Sequence, residues 1–534
     1  MKTDALVVPS QNIKELSSET LGAAGARERF LANVSSNVAL VVGQSVASLW
    51  LTPYLIGYLG IAAYGMVPLA NSLISYMGVL TTALDSAVSR FLAIDLEQGD
   101  RLSANRTFNT ALWGVIATIA VLSPVVLIIS LNFSSLLRVP LGWEWDSSWL
   151  FAIGATTLFV TVVGSNFALS PFVHSQFLLS NIVNLAGLLA RVGFIVAAFS
   201  LLRARLWYVS GGALAGALVC LVGYIVLWRK LTPELVIQLS AFDLARFRSL
   251  LAMSSWIIVN TVGALLLTRV DLIVVNRYFG AAMTGGYASI VQFAVLMESL
   301  VTAATIAVRP MILIRYAQGD LAGLRRLAVQ AVKLLGLALA LPVGILCGFS
   351  RPLLALWLGR SFTYLTVLLV IVVSHLSLNL SVRPLLFVQN AFNKVRWPGI
   401  ATLFCGGANL GLAVLAAVWG KWGSAGVAVA GAVVWTIRHA FYMPVYTARI
   451  MKLPWWTFLP SLCASVIGTL FVGVLSYTLT LLKMPTSWFA LIGAMMAVSL
   501  VYAVVVWTIG LNPGDRKLLI TLSPLRDRQS ISPR

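Results

Sequence analysis

Apolar runs of membrane-spanning length recur along almost the whole chain, and no other feature restricts the fold so tightly. A helix needs roughly 17–25 mostly apolar residues to cross a bilayer. Fourteen runs qualify, at about residues 33–58, 62–92, 108–132, 147–170, 180–201, 207–228, 250–276, 286–308, 327–349, 362–388, 398–420, 423–447, 455–477 and 488–511. Only helices and closed barrels satisfy their backbone polar groups in lipid. These runs are too long and too uniformly apolar for barrel strands. The expected fold is an all-α polytopic membrane protein of about 14 transmembrane helices. Composition agrees, with only 10% charged residues against about 25% in soluble domains.

The first 29 residues are polar, so no cleavable signal peptide is expected and the first run itself directs insertion. A net charge of +20 raises the question of nucleic acid, but the placement of the charge answers it. With the N-terminus in the cytoplasm, 25 of the 37 Lys and Arg fall in the N-tail, the even-numbered loops and the C-tail; Arg90 and Lys333, near the ends of their runs, count with the loops beside them. Eight fall in odd-numbered loops and four lie deep in runs. That is the positive-inside asymmetry. It predicts a bacterial cytoplasmic (inner) membrane protein with both termini cytoplasmic, binding membrane lipids and no nucleic acid.

An internal repeat organises the runs. Tyr58–Thr110 aligns on Tyr278–Gln330 without gaps at a shift of 220, and 15 of the 53 pairs are identical. "YLGIAAYG" meets "YFGAAMTG" and "QGD" at 98–100 meets "QGD" at 318–320. A second echo pairs "SGGALAGALV" (210–219) with "AGVAVAGAVV" (425–434). Six spans separate the equivalents, so the two halves run in the same direction. This is a known plan of secondary transporters, with the cargo path between the halves. The expected divisions are a cytoplasmic tail 1–29, a first six-helix lobe 30–230, a cytoplasmic linker 231–245, a second six-helix lobe 246–449, two additional helices 450–511 and a cytoplasmic tail 512–534.

Seven ionisable residues inside the runs need a reason, since each costs about 2.5–3.5 kcal/mol at the middle of an inserted helix. They are Asp85, Arg191, Arg269, Asp271, Glu298, Arg383 and Arg438. On helical wheels Tyr287, Glu298, Thr302, Thr305 and Arg309 share a stripe, as do Gly78, Thr81, Asp85 and Ser89, and Ser180, Asn184, Gly187 and Arg191. Asn260 and Asp271 share a face, whereas Arg269 points about 160° away from Asp271, so these two cannot simply neutralise each other. Arg191, Arg269, Asp271 and Glu298 read as facing a polar path. Asp85 fits a structural pair as well as a path, and Arg383 and Arg438 read as snorkelling to the cytoplasmic surface. "GGALAG" reads as close helix packing, and Trp143, Trp145, Trp149 and Trp207 as an interfacial belt.

No P-loop, H-E-x-x-H or G-x-S-x-G pattern is present, and no connection exceeds about 20 residues. Cys220, Cys347, Cys405 and Cys463 all fall in runs and offer neither a disulfide framework nor metal spacing. A conduit rather than an enzyme is expected, with no cofactor and no metal.

The stretch "PYLIGYLGIAAYGMVPLANSLISYMGVLTTALDSAVSRFLAIDLEQGD" resembles the opening of bacterial polysaccharide (O-antigen/exopolysaccharide) flippases. "RVDLIVVNRYFGAAMTGGYASI" resembles the start of their second half, at Asp271, Gly280, Gly286 and Tyr287. These belong to the multidrug/oligosaccharidyl-lipid/polysaccharide exporter superfamily. The resemblance implies two six-helix lobes in a V around a central cavity lined by the first, second, seventh and eighth spans. It also implies an oligosaccharide repeat unit on undecaprenyl pyrophosphate as cargo, moved from the cytoplasmic to the outer leaflet by alternating access, alongside a polysaccharide polymerase and other assembly-complex proteins. Arg191, Arg269, Asp271, Glu298, Asp85, Asn260 and Tyr287 are the expected cavity residues, with Arg438 and Arg383 as further candidates. The four basic residues deepest in the runs are all arginine, the side chain suited to forked bonds with pyrophosphate. The acids leave proton or sodium coupling open. The competing expectations are a cation-coupled drug antiporter, a lipid II flippase, or a non-transporting scaffold of an assembly complex.

Overall fold

The structure is a computed structural model that describes residues 20–79, 88, 91, 92, 95, 98–174, 176–306 and 308–516. Among these residues there are helices and no strands, and twelve helices are long and apolar enough to cross a membrane. The protein is a multi-pass helical membrane protein. Its long helices are numbered α1 (Thr20–Met77), α2 (Arg101–Leu131), α3 (Glu144–Val173), α4 (Phe177–Leu201), α5 (Tyr208–Leu231), α6 (Leu244–Thr268), α7 (Val270–Ile306) and α8 (Leu321–Gly348). The broken segment α9 (Arg360–Ala391), then α10 (Arg396–Trp419), α11 (Gly423–Ile450), α12 (Trp455–Leu482) and α13 (Trp488–Gly510) complete the chain.

Two of the twelve apolar stretches, Ser35–Met77 and Ile257–Thr305, are 43 and 49 residues long. Straight helices of those lengths would reach about 65 and 74 Å, more than twice the ~30 Å hydrocarbon core. Neither runs straight. Gly60 (φ 78°, ψ 160°) interrupts α1, and Gly280 (φ 83°, ψ 179°) interrupts α7. The hydroxyls of Thr52 and Tyr64, 12 residues apart, approach to 3.3 Å, where a straight helix would hold them about 18 Å apart. Tyr287 donates to Asp271 at 3.2 Å across 16 residues, about 24 Å in a straight helix. The chain therefore doubles back at both glycines, whose positive φ suits a residue without Cβ. The doubling divides each of these two stretches into two arms.

The seventh run needs a correction. It was expected as one helix over 250–276, but α6 ends at Thr268, Arg269 takes φ −118° and ψ −22°, and α7 begins at Val270. A wheel drawn through that break misplaces everything beyond it.

Residues 220 apart behave alike. Gly99 and Gly319 have φ of 73° and 71°. The residues after them cap the following helices, Asp100 accepting from the Ser103 N–H at 2.9 Å and Asp320 from the Gly323 N–H at 2.7 Å. The Gly323 N–H, aided by Arg315, holds the Asp320 carboxyl below its usual range. The ionised cap thus adds stability at neutral pH that fades as pH falls through that lowered value. Replacing the other cap, Asp100→Ala, is expected to cost about 1 kcal/mol, read as a lower melting temperature in detergent. An Asp100→Asn chain should melt close to wild type, and equal losses in both variants would sink the capping argument.

Gly65 and Gly285 are also 220 apart, and they pack on each other. A Cβ on Gly65 would lie 2.6 Å from the Gly285 nitrogen, and one on Gly285 would strike the Ile61 carbonyl oxygen. This contact is one of close backbone approach between α1 and α7. Around it α1 packs on α7, while α2 to α5 pack among themselves, as do α8 to α12. Near the two reversals, Asn276 accepts from the Arg138 N–H at 2.9 Å and donates to the Arg138 carbonyl at 3.2 Å. Trp357 donates to the Leu49 carbonyl at 3.0 Å. At the opposite end, Asn105 and Asn109 hold the connection between halves by accepting from the N–H groups of Val236 and Gln238.

Candidate functional site

The break at Arg269 is where the polar groups gather. Arg269 and Asp271, at and just beyond this distortion, both line one cavity. Tyr287 and Glu298, on the second arm of α7, line it too, as do His375 of α9 and Trp435 of α11. The space is about 100 Å³, room for a phosphate-sized group but not for an oligosaccharide.

Asp271 sits among neutral donors. One carboxylate oxygen accepts from Asn409 Nδ2 at 3.0 Å and the other from the Tyr287 hydroxyl at 3.2 Å. A Cβ on Gly431 would lie 3.0 Å from the second oxygen, so the glycine makes room for the carboxylate. Asn409 also donates to the Leu266 carbonyl at 3.2 Å, in the turn that opens before Arg269. Its own Oδ1 is buried and unpaired. No cation neutralises Asp271 among the described residues.

Arg438 and His439 stand one turn beyond Trp435, on a π-helical stretch, Ile437–Tyr442. Such wide turns are frequent at functional sites because they re-aim side chains. Arg438 is only 4% exposed. Its Nη2 donates to Thr402 Oγ1 at 2.8 Å and to the Pro398 carbonyl at 3.3 Å, and Nε donates to Thr402 at 3.1 Å. The guanidinium lies 5.3 Å from the Tyr442 ring, while Nη1 is buried with nothing to donate to. Snorkelling to the surface is therefore overturned for Arg438. Arg383 precedes the last short helix of α9, Pro384–Ala391, and its Nε is likewise buried and unpaired. Glu298 lies within electrostatic reach of Arg383 and Arg269, and Arg438 within reach of Arg383. Among the described residues none of Arg191, Arg269, Arg383 and Arg438 forms an ion pair with a carboxylate.

Of the residues singled out from the sequence, Arg269, Asp271, Tyr287 and Glu298 come together, with Arg383 and Arg438 beside them. Arg191 does not join them. It lies on the seam between α4 and α5, where a Cβ on Gly216 would be 3.2 Å from its own Cβ. Gly187 and Asn184 of its stripe face Gly216 and Tyr224 on that same seam, so the stripe is a packing face, as "GGALAG" was expected to be. Asn260 does not share a site with Asp271 either. It is exposed, and its Cβ stands 3.8 Å from where a Cβ on Gly399 would be. Asp85 lies outside the described residues.

Thr402, Asn409, His375, Trp435 and Gly431 were missed. Thr402 and Asn409 are seven apart, hence on one face of α10, and a wheel of the eleventh run would have shown that pair. The others become visible only when helices distant in sequence are packed.

A family model described as "Polysaccharide biosynthesis protein" matches residues 30–313 of this chain. The chain belongs to the polysaccharide biosynthesis protein family. Within that family it is similar to the "Uncharacterized membrane protein EpsK" of Bacillus subtilis (strain 168), 29% identical over 497 residues, 92% of this chain and 97% of the relative. Among solved structures it resembles lipid II flippase MurJ in an inward closed conformation, with a TM-score of 0.62 and 14% identity, covering 90% of this chain and all of that one. It also resembles an inward-facing multidrug resistance MATE family transporter of the MOP superfamily, with a TM-score of 0.58 and 13% identity over 84% of this chain and 99% of that one. At such identities the likeness shows a shared fold. This polysaccharide biosynthesis protein shares its fold with those two structures.

Proposed function

We propose that the protein is a flippase that carries an oligosaccharide repeat unit on undecaprenyl pyrophosphate from the cytoplasmic to the outer leaflet by alternating access, for cell-surface polysaccharide. The observation that carries this reading is Arg438, a buried guanidinium with a free Nη1 and, among the described residues, no counter-ion, within electrostatic reach of a second arginine, Arg383. A buried, unpaired charge is costly unless an anion visits it. Pyrophosphate is such an anion, and arginine forks match its oxygens. Moving negative charge outward is downhill in an inside-negative cell by about 2.3 kcal/mol per charge per 100 mV.

In this reading residues 30–230 and 246–449 form the two lobes, joined by 231–245, and both termini are cytoplasmic. Asp271, held by neutral Asn409 and Tyr287, is the carboxylate free to take up a proton or a sodium ion for coupling. In this reading the protein carries its cargo and partner proteins supply polymerisation. The acids Asp271 and Glu298 favour one second reading, an organic-cation antiporter, but that reading leaves Arg438 without a purpose.

The test is the sidedness of the undecaprenyl-pyrophosphate glycan in cells with and without the protein. Glycan should be trapped on the cytoplasmic face in its absence. An Arg269→Ala/Arg438→Ala chain present at normal membrane levels should fail to release it. Unchanged sidedness on loss of the protein would overturn the proposal in favour of an antiporter or a scaffold.

A further inference from the structure

A second cavity, with no ionisable residue among the described residues of its lining, lies along a neighbouring face of the second arm of α7. It measures about 200 Å³, and its polar lining is Gln44, Ser45 and Ser48 from the first arm of α1 with Gln292 and Ser299 from α7. Amides and hydroxyls of this kind both donate and accept, the chemistry that matches sugar hydroxyls; no ionisable group lines it among the described residues. Val295 lines both this cavity and the charged one, so a single wall separates them.

The two cavities differ in which half of the protein they touch. Every residue lining the charged cavity falls between Leu267 and Trp435, in the second half. The neutral cavity takes one wall from each half. A ligand that contacts one rigid body only has the same affinity whichever way the halves are arranged, and such a ligand shifts no equilibrium however tightly it binds. A ligand that bridges the halves does distinguish the arrangements.

We infer that the neutral cavity is a binding site for an uncharged, hydroxyl-rich sugar of the cargo, and that its occupation, rather than that of the charged cavity, licenses the movement of the two halves. The inference rests on the flippase reading above. Pyrophosphate binding to the second half gives affinity; the sugar between the halves turns affinity into motion. A carrier that has lost its glycan is held but not transported, which prevents a futile cycle of bare lipid. A sugar carrying a carboxylate finds no cation in this cavity and is disfavoured there.

The experiment measures binding and the distance between halves in the full-length protein in lipid nanodiscs, with Cys220, Cys347, Cys405 and Cys463 replaced by serine. Spin labels go on Leu141→Cys and Arg360→Cys, both exposed and one in each half. The probes are undecaprenyl pyrophosphate alone and the same lipid bearing a neutral disaccharide. Both should bind, but only the glycosylated lipid should shift the distance distribution. In a Gln44→Leu/Gln292→Leu chain, affinity for the glycosylated lipid should fall at least tenfold and that for the bare lipid less than twofold, with the shift abolished. A Gln44→Leu chain alone, which leaves the Gln292–Tyr64 bond intact, should show the same preference in weaker form. A bare lipid that moves the halves as far as the glycosylated one overturns the inference while leaving the flippase reading standing, as does an equal loss for both lipids in both variants. Failure of the wild type to bind either lipid sinks the flippase reading and this inference with it.

Discussion

Replacing Arg438 by methionine is expected to make the protein more stable and to stop it working. The guanidinium is 4% exposed and meets only Thr402, the Pro398 carbonyl and the Tyr442 ring. Among the described residues no carboxylate pairs with it to offset its desolvation. Exchanging buried charge for a well-packed apolar side chain is often neutral or stabilising by about 1–4 kcal/mol. Thr402 would not be orphaned, since its hydroxyl already donates to the Pro398 carbonyl at 2.7 Å. Transport should move the other way. A hydrogen bond to a charged group contributes about 1.5–3 kcal/mol, so losing one from the cargo should cut affinity about ten- to hundredfold. Arg438→Lys should not rescue transport, because an ammonium cannot grip Thr402 and Pro398 and still present a fork to phosphate. Melting temperature and glycan sidedness, measured on the same preparation, check both halves of the expectation. A methionine variant that melts markedly lower than wild type would mark Arg438 as a structural residue.

Gly285→Ala should have the second-largest effect, on the arrangement of the two halves rather than on binding. The added Cβ would run into the Ile61 carbonyl oxygen, and the carbonyl carbon would be 2.9 Å away. Backbone cannot rotate out of the way as a side chain can, so α1 and α7 must separate near their reversals. Overpacking of this kind costs about 1–3 kcal/mol, enough to change the balance between two arrangements about five- to hundredfold. Gly65→Ala should act alike, since its Cβ would lie 2.8 Å from the Ala281 carbonyl oxygen. Gly407→Ala, with nothing within 4 Å of the new methyl, is the control and should be silent. Spin-label distances between halves report the shift. Wild-type distances in Gly285→Ala would show that this contact does not hold the halves together.

Much of this architecture was written in local pattern. The hydrophobic length of each run predicts a membrane helix because lipid leaves the backbone no other partner. The 220-residue repeat was legible because equivalent turns need equivalent residues, a glycine at positive φ before a capping aspartate, at 99–100 and again at 319–320. Residues flanking the Gly280 reversal were legible as a group for the same reason, being close along the chain.

What the sequence could not determine is which polar residues meet. Arg191 and Arg438 look alike in a run of apolar letters, yet one lies on a helix seam and the other on a π-helical turn within electrostatic reach of Arg383. The wheel that joined Asn260 to Asp271 assumed a regular helix, whereas the helix is distorted at Arg269, where φ is −118°. Asn409 reaches Asp271 from 138 positions away. Periodicity fixes which face of a helix is polar, because that depends on neighbours three and four residues apart. Which face meets which is settled by packing between helices far apart in the chain, where a hairpin glycine or a wide turn redirects every side chain that follows.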